Sequence, residues 1–306
     1  MIATVSKFVI CTIVFSLVSP VAVEAAKPGK RIRVAAVSFV PKKFDLAGNA
    51  KKLTAAFRTA AKGGAKIAVA PEGILEGYVV NEIITGSARV EQMNQVAISI
   101  NGKVMKRFQE LAKELNMCLA FGFAERIGGE VYNCAVFIDF NGKICGKYHK
   151  MQFAEGYHPS WWFNRLGAKS RAFDTPFGRC GFMICNDRWN PLLAKIPALD
   201  GAQFLIIPSF GSRSKQQDQA VLNRGKENHI PVIEANVGVT LVVNDNRIVA
   251  VDRKEEGITF GTIRIPPARR AKSSERDDVE RRFLLQRAIL MQRKYERTQK
   301  RLRKQP

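Results

Sequence analysis

The stretch from Ile32 to Ala70 restricts the fold more than any other. Residues 32–40 are rich in Val and Ala and read as a largely buried strand. Residues 45–62 then place Leu46, Leu53, Ala56, Phe57 and Ala60 on one helical face, and Gly63-Gly64 supplies the stop. A second short apolar run, residues 66–70, is broken by Pro71-Glu72-Gly73. A strand, a helix and a strand in this order imply parallel pairing through a right-handed crossover. The chain is therefore read as an α/β protein.

Downstream, residues 95–116 form a second amphipathic pattern with Phe108, Leu111, Ala112 and Leu115 facing inward and Asn101-Gly102 as an interruption near its start. Residues 117–124 read as a strand. Residues 131–140 and 143–150 read as a hairpin turned at Asn141-Gly142, which makes the sheet mixed. A loop over residues 152–170 carries Trp161, Trp162 and Phe163 in succession. Three consecutive rings cannot all point inward, so this loop is expected to pack over a site or against a partner. Strands follow over residues 173–184, 204–208, 231–236 and twice within 241–251, turning at Asn244-Asp245-Asn246. Helices fall at 190–199 and 212–228. No period of 20–50 residues recurs.

Both ends differ from the body. Lys7, the apolar run 8–18 and Val23-Glu24-Ala25 form the pattern of a signal peptide over residues 1–25, so the body is expected to be exported, periplasmic or secreted. Membrane anchoring through an uncleaved signal is the alternative. Of six cysteines, Cys11 would leave with that segment, and the odd five that remain imply at least one free thiol. Without a Cys-x-x-Cys pair or a histidine cluster, no metal site is expected. Lys and Arg number 49 against 27 Asp and Glu. Residues 267–306 hold 14 of the basic and 5 of the acidic residues, or +9 of the net +22. Such a tail reads as a long basic amphipathic helix, docked by one stripe or contacting an anionic surface or a partner subunit. No stacking aromatics or nucleic-acid motif accompany it.

Three polar residues stand at three separate strand ends: Glu72, Lys150 and Cys185. Taken singly, each has an ordinary reading: an exposed loop acid, a solvated edge charge, a small buried hydrophobe. Taken together, they match what a thiol nucleophile needs, namely a base for its proton and a cationic donor for the developing oxyanion.

In these residues the chain resembles the nitrilase superfamily of carbon–nitrogen hydrolases, in its amidase or N-carbamoyl amino acid hydrolase-like branch. The resemblance covers residues 31–266. It rests on Pro71-Glu72-Gly73 with Gly77-Tyr78, on Tyr148-His149-Lys150, and on Gly178-Arg179-Cys180-Gly181 leading into Ile184-Cys185-Asn186-Asp187. Arg224-Gly225-Lys226-Glu227-Asn228, Pro231-Val232 and Ala235-Asn236 extend it. It implies a four-layer α-β-β-α sandwich of mixed sheets followed by the basic helical tail, assembled as a homodimer or larger homo-oligomer. The implied chemistry is hydrolysis of a small amide or N-carbamoyl compound with no cofactor. Cys185 would be the nucleophile and Glu72 the base. Lys150 and the backbone N–H of Asn186 would hold the oxyanion.

Two positions depart from or extend the pattern. The family's second glutamate, between the lysine and the cysteine, has only Glu155 to fill it. That residue comes early, and His158 or Ser160 occupies the aligned place. Arg188, after Cys185-Asn186-Asp187, resembles an arginine that reads a substrate carboxylate; pairing with Asp187 or with the tail is the alternative. Three other functions share these features: a binding protein held to an anionic surface by the tail, an acyltransferase using the same thioester, and a Cys–His hydrolase using His149 or His229.

Overall fold

The computed structural model describes residues 29–304; the expected signal segment and Cys11 lie outside the described residues. In chain order the elements are β1 (Lys30–Ser38), α1 (Leu46–Lys62), β2 (Ile67–Val69), α2 (Val80–Ile84), α3 (Met93–Val96), α4 (Lys103–Leu115), β3 (Cys118–Ile127), β4 (Glu130–Ile138) and β5 (Ile144–His149). There follow β6 (Phe173–Thr175), β7 (Gly178–Phe182), α5 (Pro191–Leu199), β8 (Phe204–Ser209), α6 (Lys215–Asn228), β9 (Val232–Asn236), β10 (Val239–Asn244), β11 (Arg247–Asp252), β12 (Gly257–Ile265) and α7 (Ser273–Leu302).

Two six-stranded mixed sheets result, in the orders β12-β1-β2-β3-β4-β5 and β11-β10-β9-β8-β7-β6. As the crossover argument requires, β1, β2 and β3 are parallel, and so are β7, β8 and β9. Strand β1 is buried on both faces. Ala35 and Val37 pack with Leu53 and Phe57 of α1 and Phe108 of α4, whereas Val34 and Ala36 belong to the core between the sheets. Phe137 of the first sheet meets Phe173 of the second at 5.8 Å between ring centroids, and Phe173 meets Phe182 at 5.3 Å. Helices α5 and α6 bury Leu193, Ile196 and Val221 on the outer side of the second sheet. The four-layer sandwich expected from the resemblance is the observed fold.

Two features differ from the sequence-based expectation. The helical pattern over residues 95–116 is split, because Ile98 leaves the helix and bridges to Glu125, its N–H donating to the Ala124 carbonyl at 2.9 Å. Helix α4 restarts only after Gly102. Strand β12, which the sequence did not announce, pairs antiparallel with β1 from Lys30↔Ile265 to Ser38↔Gly257. Its two glycines and interspersed polar residues blur the alternation that marks a strand. All five described cysteines are free thiols, which meets the expectation of at least one.

The tail is a docked element. Helix α7 packs on α5 and buries Val279, Phe283 and Met291. Phe283→Ala would leave a ring-sized void in a site 0 % exposed. It is expected to lower stability by about 3–5 kcal/mol, measured by urea unfolding; a detached tail would show no change. No helix among the described residues is long and apolar enough to cross a membrane.

Candidate active site

Parallel strands in α/β sheets open at their C-terminal ends, and all three singled-out side chains lie there. Glu72 follows β2, Lys150 follows β5, and Cys185 opens a 3₁₀ turn over Cys185–Trp189 after β7. The φ of Cys185 is +44°, a left-handed conformation that a non-glycine residue holds only when its surroundings impose it. Asp187 imposes it here. Its Oδ2 accepts the Ile184 N–H at 2.9 Å and the Tyr148 hydroxyl at 2.8 Å, and its Oδ1 accepts the Gln152 N–H at 2.8 Å. Burial pushes the Asp187 carboxyl up to about 6 despite these donors. The thiol is thereby lifted out of the strand and turned toward the gap between the sheets.

Glu72 and Lys150 are both 0 % exposed, with Nζ of Lys150 at 2.6 Å from Oε1 of Glu72. Asn133 Nδ2 donates to the same oxygen at 2.7 Å. The other oxygen, Oε2, accepts the Phe210 N–H at 3.0 Å, and the Phe210 carbonyl accepts the Cys185 thiol at 3.5 Å. The backbone of one residue, Phe210, thus spans from carboxylate to sulfur, its N–H on the one and its carbonyl on the other. Such proximity requires a strand without a side chain behind Glu72: a Cβ on Gly122 would lie 2.5 Å from the Glu72 Cα.

The electrostatics of the three groups differ. Burial works against the charged form of Lys150, but Glu72, followed by smaller contributions from Tyr78 and Cys185, raises its pKa well above the ordinary value. The ammonium is locked on. For Cys185, burial and then the Glu72 carboxylate push the thiol up to about 11, outweighing Arg188 and Lys150. A raised thiol pKa means thiolate accumulates only as pH climbs, so the fraction at pH 7 is about 10⁻⁴. Formation of a mixed disulfide with a small neutral thiosulfonate, sulfinate leaving, in Cys185-only protein is expected to accelerate about tenfold per pH unit from 7 to 10. A rate that levels off below pH 8 would mean a thiolate already formed.

Asn186 is held on both sides by Gln152: its Nδ2 donates to the Gln152 carbonyl and its carbonyl accepts Gln152 Nε2, each at 3.1 Å. Arg188 is 1 % exposed and has neither Asp187 nor the tail as its partner. Its Nη1 donates to Oε1 of Glu234 and to Oγ of Ser209, both at 2.8 Å, and Gln217 donates to the remaining Glu234 oxygen. The expectation that Arg188 reads a substrate carboxylate therefore meets an internal carboxylate already in place. Displacing a buried ion pair is unfavourable because it strands a charge. Burial pushes Glu234 up to about 7 against the pull of Arg188.

Glu155 reaches the site in spite of its early position. Its side chain is buried, Oε1 accepts Asn164 Nδ2 at 3.0 Å, and it lies close enough to Lys150 for each charge to act on the other. His158 and Ser160, the aligned alternatives, pair with each other at 2.6 Å toward solvent. Helix α7 places this loop. Thr298 Oγ1 donates to the Glu155 carbonyl at 2.9 Å, Lys294 Nζ to the Phe153 carbonyl at 3.2 Å, and Tyr295 packs against Trp161. Gly156 lies so near that a Cβ there would sit 2.0 Å from the Tyr295 nitrogen. The partner of the aromatic loop is this chain's own tail.

Sequence reasoning missed Phe210, Ser209, Asn133, Gln217 and Glu234. The residue types gave no signal, and only the fold does, bringing Asn133 of β4, Ser209 and Phe210 at the end of β8, Gln217 of α6 and Glu234 of β9 to one place. Neither histidine offered for a Cys–His pair is at the thiol. His149 Nε2 faces Glu125 at 2.5 Å, its ring stacked on Tyr132, and His229 caps α6 on the surface. Glu125, Cys134 and His149 do bring ligand atoms within 4.8 Å of one another, a grouping from three strands that spacing could not reveal. The Lys147 ammonium, 2.6 Å from Glu125, competes there with any cation.

Comparison with known proteins agrees with this fold. The carbon-nitrogen hydrolase family model matches residues 33–272. A citrullinase of Francisella tularensis is 31% identical over 243 residues, covering 71% of this chain and 83% of that one. An N-carbamoylputrescine amidase of Oryza sativa is 30% identical over 240 residues, covering 76% and 77%. Among solved structures, Nit3 of Saccharomyces cerevisiae aligns with a TM-score of 0.67 at 23% identity, covering 79% and 93%. An amidase from Nesterenkonia sp. aligns at 0.66 and 19%, covering 83% and 98%. With fold, family model and relatives in agreement, the chain belongs to the carbon–nitrogen hydrolases of the nitrilase superfamily.

Proposed function

We propose that this protein is an exported hydrolase that cleaves the C–N bond of a small terminal amide or ureido group through a thioester on Cys185. The observation that carries the reading is the buried Glu72 carboxylate, held by Lys150 on one oxygen and linked on the other through the Phe210 backbone N–H and carbonyl to the Cys185 thiol. With a thiol near 11, a free thiolate is too scarce to attack, so Glu72 takes the S–H proton as the sulfur bonds to the carbonyl carbon. The developing oxyanion is held by the Lys150 ammonium and the Asn186 backbone N–H. Collapse of the tetrahedral adduct breaks the C–N bond, and the proton held by Glu72 leaves with ammonia or an amine. Glu72 then deprotonates water, which attacks the thioester and releases the acid and the thiol. Glu155, kept in place by α7, orients the Lys150–Glu72 pair.

Substrate size follows from access. Cys185 is only 7 % exposed, and Tyr78 stacks on Phe210 at 4.9 Å beside it, so a slim, planar end of a molecule fits best. Asn133 Oδ1 is buried beside Glu72 without a protein partner, an acceptor that a substrate N–H would satisfy. Citrulline and N-carbamoylputrescine, named by two relatives, both end in a ureido group, which favours that class over nitriles. Because Arg188 is engaged by Glu234, a substrate carboxylate is not read by its Nη1 edge. We further infer assembly as a homo-oligomer. The test is ammonia release from a matched panel of ureido compounds, primary amides and nitriles, with intact-mass detection of an acyl adduct on Cys185. Turnover of ureido compounds with ammonia is the expected result; no product from any member would overturn the reading.

A further inference from the structure

The molecule carries a second concave feature at the opposite end of the sheets from Cys185. Strand β1 runs from this end, at Arg31, to Ser38 near Glu72, a span of roughly 23 Å at about 3.3 Å per residue. Three adjoining cavities of about 400, 340 and 200 Å³ form one groove here, the first two sharing Asn244, Asp245 and Arg264 and the last two sharing His229. Six arginines line it: Arg31, Arg33, Arg247, Arg264, Arg269 and Arg270. Lys195 and Lys272 add to them, and the carboxylates present are Asp245 and Glu227.

The arginines are set against one another. Arg31 and Arg264 stand directly opposite on β1 and β12. Like charges directly opposite on neighbouring strands are destabilising. None of the six is in an ion pair among the described residues, although exposed arginines elsewhere are paired, Arg58 with Glu114 and Arg213 with Glu255. A concave row of unpaired guanidiniums is satisfied by an anion that threads along it, because each planar fork accepts a carboxylate or sulfate on two N–H groups.

The shape and the lining select the anion. A groove suits a linear chain better than the plane of a membrane. Nucleic acid bound as single strands is held by rings on which bases stack. Among the described residues, the aromatic rings lining these cavities are Phe260, which Arg33 already covers at 4.8 Å, and His229 alone at the far end, so no row of stacking rings follows the groove. We propose that this groove binds an acidic polysaccharide, a linear glycan bearing carboxylate or sulfate groups, and so holds the enzyme on such a polymer while leaving the Cys185 end free.

The test uses the chain with its tail intact and fluorescein-labelled heparin and polygalacturonate as probes, read by anisotropy from 50 to 200 mM NaCl. Both glycans are expected to bind, more weakly as salt rises. The triple variant R31E/R247E/R264E is expected to lose roughly tenfold or more in affinity and to show a shallower salt slope, since fewer counterions are released. R31Q/R264Q keeps the strand register without the charges and should lose affinity in the same direction. R293E/R297E, on the outer side of α7, should bind as the parent does. The proposal is overturned if neither glycan binds at 50 mM salt, or if binding survives the triple variant. It also falls if binding is lost in the α7 variant instead, or if oligothymidylate of equal charge or phosphatidylglycerol vesicles bind more tightly than the glycans. Ammonia release at the parental rate in the triple variant would separate this surface from the chemistry at Cys185.

Discussion

Cys185→Ala is expected to abolish turnover, with a fall in kcat on the order of 10⁵-fold or more, while unfolding remains close to that of the parent. The size follows from the sulfur having no substitute. A nucleophile and its base act as a unit, and removal of the nucleophile alone removes nearly all of what the unit supplies. Stability should change little because the thiol makes a single long hydrogen bond, to the Phe210 carbonyl at 3.5 Å, and alanine keeps the Cβ. At φ +44°, alanine is no worse than cysteine. The variant should still bind substrate, since Lys150 and Asn186 remain, and intact-mass spectra should lose the acyl adduct. Residual turnover within tenfold of the parent would remove Cys185 from the mechanism. So would an adduct that persists on another thiol.

The second large effect concerns Lys150 and Glu72, and it separates stability from chemistry. Lys150→Met removes the ammonium from a carboxylate that is 0 % exposed, leaving a buried charge without its counterion. Breaking a buried pair in this way costs about 3–5 kcal/mol. Loss of an oxyanion donor costs a further factor of about 10²–10³ in kcat. Glu72→Gln strands the ammonium instead and removes the base, for a loss of about 10²–10⁴ in kcat. Combining the two substitutions removes both charges. Stability is then expected to return most of the way to the parental value in urea unfolding, because a buried ion pair is worth little net against neutral groups of similar volume. Activity should stay lost. If the double variant were as unstable as the sum of the single ones, the pair would be acting through something other than mutual neutralisation.

These effects fall on residues that the sequence did expose. Glu72 and Cys185 each follow an apolar run and Lys150 closes a hairpin, and a polar residue at a strand end is visible in one dimension. Glu155 was visible as a candidate but not as a placed group. Its position depends on Thr298, Lys294 and Tyr295, more than 135 residues further along. Arg188 was visible too, but its partner was not. Glu234 lies on β9, and nothing in the local sequence of either residue links them.

The chain's own residues determine the α/β class and the mixed sheet, through the strand–helix–strand period, the glycine stops and the Asn141-Gly142 hairpin, while the four layers are what the resemblance implied. Hydrophobic periodicity is a local property, and it survives in any window long enough to show it. The three strand-end groups are determined in the same way. Only the tertiary structure decides what those groups touch, because contacts between strand ends follow from sheet order and not from separation along the chain. Sheet order brings Phe210 between Glu72 and Cys185, gives Arg188 to Glu234, and lays β12 beside β1 so that Arg264 confronts Arg31. The packing of α7 on α5 makes the basic tail the support of the loop bearing Glu155.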